Sequence, residues 1–87
     1  MYYRNNFKNK FINLNGWNKI IFDKIIDFDS EIFKARQFNE FIPEFREIYP
    51  NNHTIKASIR GTLQELMELG LITRVSRGVY KNLAYSN

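Results

Sequence analysis

Asn51, Asn52, His53, Lys56, Ala57, Arg60, Gly61 and Gln64 crowd into one short stretch, and Arg74 and Arg77 follow it closely. Their chemistry suits an anionic, hydrogen-bonding surface. The Asn and Gln amides each set a donor beside an acceptor, and the Arg60 guanidinium can grip two acceptors at once, such as O6 and N7 of a guanine. Lys56 is a compact charge that suits phosphate. Ala57 and Gly61 stand one turn apart, and their small side chains let a helix approach its target closely. Glycine inside a helix costs about 1 kcal/mol relative to alanine, so Gly61 requires a compensating approach, by DNA or by another element. No nucleophile–base pair accompanies these residues. The single histidine and the absence of cysteine argue against a metal site. The set reads as a binding surface, non-catalytic and without a cofactor.

A helix, a glycine stop and a hairpin must position these side chains. Ile55, Ile59, Leu63, Leu66 and Leu69 recur at the three-to-four spacing of a buried helical face. At about 100° per residue, the opposite side carries His53, Ala57, Arg60, Gly61 and Gln64, with Lys56 flanking it. Asn51 or Asn52 is expected to cap this helix, leaving the other free to point at the target, and His53 falls in the first turn. Gly70 suits the left-handed residue that ends a helix. Residues 71–75 and 79–82 read as two strands, joined by a turn at 76–78 in which Gly78 is free to take positive φ.

Upstream, residues 1–14 mix Tyr2, Tyr3, Phe7, Phe11 and Ile12 with Arg4, Lys8 and Lys10 and sustain no period. They read as an N-terminal arm or the remnant of a linker, with the folded domain spanning 15–87. Asn15 is placed to cap a first helix that sets Trp17, Ile21, Ile25 and Phe28 on one face, with Ile20 beside them; Trp17 is a core anchor. Residues 31–33 form a short extended stub able to pair with the hairpin. A second helix over 35–48 spaces Phe38, Phe41, Ile42, Phe45 and Ile48 for burial, but Pro43 must kink or split it. Pro50 then drives Tyr49 out of helical geometry. Three helices, a strand stub and a two-stranded wing make an α+β, mostly helical fold, a winged helix-turn-helix.

Charge is distributed to match. The 87 residues make one small domain of net charge +4, with +3 in residues 1–16, −2 in 17–50 and +3 in 51–87. The third helix and the wing are basic and their supports acidic, as expected where one face meets phosphate and the other meets water. No apolar run approaches the roughly 20 residues needed to span a bilayer, and the N-terminus lacks the apolar core of a signal peptide. Double-stranded DNA is the expected partner, with no membrane, in a bacterial cytoplasm where such a protein associates with the nucleoid.

The ordered set of residues carries a resemblance over most of the chain. Gly16-Trp17 opens the first helix and Phe33 precedes the second. Tyr49-Pro50-Asn51-Asn52, Ile55, Ile59-Arg60, Leu63-Gln64, Leu66, Leu69-Gly70-Leu71-Ile72 and Arg77-Gly78-Val79-Tyr80 follow in order. In these the chain resembles the C-terminal winged-helix domain of Dam-replacing, Dpn-type methyl-directed restriction endonucleases, which cut adenine-methylated GATC. The resemblance implies a module that reads N6-methyladenine from the major groove, with cleavage carried by a separate upstream nuclease domain. None of the nine acidic residues has a lysine two places later, so the Glu-x-Lys element of such nucleases is not in this sequence. Gly61 departs from the longer polar residue expected of the family there. The alternative reading is a small winged-helix transcriptional regulator without methyl preference, although no long coiled-coil heptad supplies the dimer such regulators use.

Overall fold

The computed structural model describes residues 14–85. Its elements run α1 (Gly16–Asp27), β1 (Ile32–Lys34), a 3-10 helix (Ala35–Phe41), α2 (Ile42–Ile48), α3 (Ile55–Glu68), β2 (Ile72–Ser76) and β3 (Val79–Asn82). The strands form one antiparallel sheet in the order β1-β3-β2, so the stub pairs with the hairpin as its position suggested. The result is a winged helix-turn-helix. The expected arm at residues 1–14 lies outside the described residues except for Leu14, which packs against the core.

α1 packs against α3 through a wider face than the periodicity implied. Ile21 and Ile25 are buried, but so is Phe22, which the single-stripe reading left out. Trp17 is half-buried; its ring stacks on Tyr49 at 4.8 Å and meets Phe45 edge-on at 5.4 Å. Asn15 occupies the cap position of α1, yet its side chain makes no capping bond.

Pro43 does split the second helix, and the bonding shows how. In a continuous α-helix the Asn39 carbonyl would need a donor at position 43, where proline has none. Instead it accepts from the Ile42 amide, three residues on, as in a 3-10 helix. The three-residue period of that helix lines up Ala35, Phe38 and Phe41 on one row, and Phe38 is fully buried. Pro43 then sits in the first turn of α2, where a missing amide hydrogen costs nothing. Phe28, Phe33 and Phe38 cluster at 5.3 to 6.1 Å, and Tyr80 stacks on Phe33 at 5.7 Å.

Two expected core positions are corrected. Leu69 is 46% exposed and Ile48 is 45% exposed. Leu69 is the C-cap residue of α3. The Gly70 amide donates to Met67 and the Leu71 amide to Leu66, a Schellman closure with Gly70 at φ 79. That reversal turns the chain so that Leu71, and not Leu69, is buried. At the end of α2, Tyr49 takes the inward position against Trp17 and Ile48 is left outside.

The wing follows the expected strands with one irregularity. Arg74 pairs with Tyr80 and Ser76 with Val79, which leaves Val75 as an extra, bulged residue on β2. The turn is therefore Arg77-Gly78, with Gly78 at φ 72.

Candidate nucleic-acid interface

The turn between α2 and α3 sets the angle at which α3 is presented. Here the expected cap is corrected: Thr54 holds the N-cap position, and no side chain caps the helix. Asn52 is half-buried and braces the turn instead. Its Oδ1 accepts from the Thr54 amide at 2.8 Å, and its Nδ2 donates to Ser58 Oγ at 3.0 Å. Its backbone amide also donates to the Tyr49 carbonyl. With both ends of the amide engaged, Asn52 is structural. Asn51 is the one left exposed. His53 lies before α3 and not in its first turn, and it too is exposed.

On α3 the buried side consists of Ile55, Ile59, Thr62, Leu63 and Leu66. Thr62 fits there because its hydroxyl donates to the Ser58 carbonyl at 2.7 Å. Lys56, Ala57, Arg60, Gly61 and Gln64 are all exposed, as the periodicity required. Gln64 is tied along the helix to Glu68 at 3.4 Å. A Cβ built on Gly61 would meet no atom within 4 Å. Packing among the described residues therefore does not explain this glycine, and of the two compensations the sequence allowed, approach by another described element is excluded.

The two flanks of α3 differ in charge. On one flank, an open depression of about 610 Å³ brings Asn52, His53, Lys56 and Ala57 together with Arg46 of α2. A second, of about 230 Å³, joins Lys56 and Arg60 to Arg36 and Asn39 of the 3-10 helix. No described acid lines either one. On the other flank, a depression of about 350 Å³ beside Gly61 is lined by Asn15, Asn18 and Glu65. Among the described residues, Lys19, Lys24 and Lys81 hold ion pairs with Asp23, Glu44 and Glu31. Arg36, Arg46, Lys56, Arg60, Arg74 and Arg77 hold none with a described residue. The first turn of α3 also carries no acid, so its amide ends favour an anion.

Arg36, Asn39 and Arg46 escaped the sequence reading because they lie in a segment of net negative charge. Only the fold carries them to the basic flank. Arg74 and Arg77 are exposed on the wing, outside these depressions. Arg74 Nε makes only a long contact, 3.4 Å, to the Ser76 carbonyl. The wing is nevertheless fixed to the basic flank: the Ala35 amide donates to the Gly78 carbonyl at 2.9 Å, and Ala35 itself borders the Arg36–Arg60 depression.

Among the described residues no group of three His, Cys, Asp or Glu side chains gathers to hold a metal. No described helix is long and apolar enough to cross a membrane. Compared with known protein families, residues 13–82 match the model of the Dam-replacing HTH domain. No curated protein matches the chain.

Proposed function

The chain belongs to the Dam-replacing HTH domain family, a helix-turn-helix DNA-binding domain, and we propose that it reads N6-methyladenine in a GATC-like duplex site through α3. The observation that carries this reading is the exposed face of α3. Ala57, Arg60 and Gly61 stand together there, Arg60 has no ion pair among the described residues, and Gly61 opens onto empty space. In this reading Arg60 grips a guanine, and Asn51, His53 and Lys56 meet phosphate or a base edge. Gln64 extends the face, and Arg74 and Arg77 hold the backbone from the wing.

The methyl preference has a physical basis in the small residues. N6-methylation puts a methyl group in the major groove while leaving one hydrogen for pairing. Ala57 can meet that methyl without a clash. Burying one methyl contributes about 0.8 kcal/mol, so the two of a palindrome give about 1.6 kcal/mol, roughly fifteenfold in affinity. The module itself is non-catalytic in this reading and supplies recognition to a nuclease domain upstream in a longer parent.

The test is a titration at fixed salt with fully methylated, hemimethylated and unmethylated GATC duplexes and a scrambled control. Affinity should fall in that order. Equal affinity for methylated and unmethylated duplexes would favour a plain winged-helix regulator.

A further inference from the structure

We propose that the DNA footprint extends beyond α3 and the wing onto the 3-10 helix and α2, with Arg36 and Arg46 as phosphate anchors on either side of Lys56. This rests on the DNA-binding reading above and adds a backbone track to it.

Three observations converge. Lys56 lines both depressions on the basic flank, so the Arg46 site and the Arg36 site are contiguous through it. Both arginines are exposed, and neither holds an ion pair among the described residues, although Glu40, Glu44 and Glu47 lie on the same two helical segments. The one described acid of those segments that takes an ion pair, Glu44, is held by Lys24 at 2.9 Å, and it stands two residues from Arg46, a spacing at which helical side chains do not meet. Finally, Ala35 joins this flank to the wing turn through its bond to Gly78. The cations therefore run in one succession: Arg46, Lys56, Arg60 with Arg36, and then Arg77 of the turn. A guanidinium with no internal partner and no acid in its depression is suited to a phosphate oxygen, which it can hold with two parallel bonds. Such contacts place the duplex without reading its sequence.

The experiment compares Arg36→Gln, Arg46→Gln and the double variant with the native chain, measuring duplex affinity across a salt series. Each phosphate contact contributes about −0.9 to the slope of log affinity against log salt. Each single variant should flatten the slope by about 1 and the double by about 2, with the methylated-to-scrambled affinity ratio unchanged. Arg36→Lys and Arg46→Lys should restore most of the slope. Lys19→Gln, which removes the same charge from an ion pair with Asp23, should leave it as it was. Native slopes in both arginine variants, or equal flattening by Lys19→Gln, would overturn the proposal. If Arg60→Ala weakens binding while these variants do not, only the extended footprint fails. If the native chain does not bind duplex DNA at all, the underlying reading fails.

Discussion

Asn52 holds Ser58 across the helix-turn-helix, Nδ2 to Oγ at 3.0 Å, while its Oδ1 fixes the amide of Thr54. One side chain thus ties the turn to the first turn of α3 and sets how that helix leaves the domain.

Asn52→Ala removes these two bonds and a longer one from Thr54 Oγ1 at 3.3 Å. At about 0.5–1.5 kcal/mol for each of the two shorter bonds, the loss should be about 1–3 kcal/mol, read as a shift of the denaturant midpoint. Asn51→Ala should leave that midpoint in place. A loss at Asn51→Ala and none at Asn52→Ala would mean that the two amides have been assigned the wrong way round.

Gly61 gives an unusual pairing of outcomes. Its added Cβ meets nothing within 4 Å, so Gly61→Ala should raise stability by about 1 kcal/mol through helix propensity. If the backbone approaches the DNA at this point as proposed, the same methyl should weaken duplex binding. A variant that is more stable and binds as before would show that Gly61 serves no contact.

Leu63 and Arg60 test the two faces of α3. Leu63 is fully buried, and Leu63→Ala should cost about 2–5 kcal/mol of stability. Arg60→Ala should barely move the melting transition and should weaken binding by about 1–3 kcal/mol. The reverse pattern would place the faces wrongly.

Ala57→Leu addresses the methyl. If Ala57 meets the N6-methyl group as proposed, a bulky side chain there should lower affinity for the methylated site more than for a scrambled duplex. Equal losses would remove Ala57 from methyl recognition.

Much of this was legible in the sequence where one element decides the outcome alone. The stripe through Ile55, Ile59, Leu63 and Leu66, the left-handed Gly70 and Gly78, and the break at Pro43 each follow from local geometry, and each is present. What was not legible depends on partners far along the chain. Phe22 is buried because α1 packs over a broad surface of its neighbours, which no single stripe reveals. Leu69 fits the period but falls on the residue where the Schellman turn begins, so the chain leaves the core there. Asn52 has cap chemistry, yet the helix starts at Ile55 with Thr54 at its N-cap, and the Asn52 Oδ1 that could cap accepts from the Thr54 amide instead. Arg36 and Arg46 reach the basic flank only through tertiary packing, so charge counted along the chain set them among the supports.

Whether α3 and its basic flank meet duplex DNA is tested most directly by the salt dependence of native binding. Lys56, Arg60, Arg74 and Arg77 alone predict a slope of log affinity against log salt of roughly −3 to −4, steepening to about −5 when Arg36 and Arg46 take part. A flat response, or no binding in low salt, would contradict that contact.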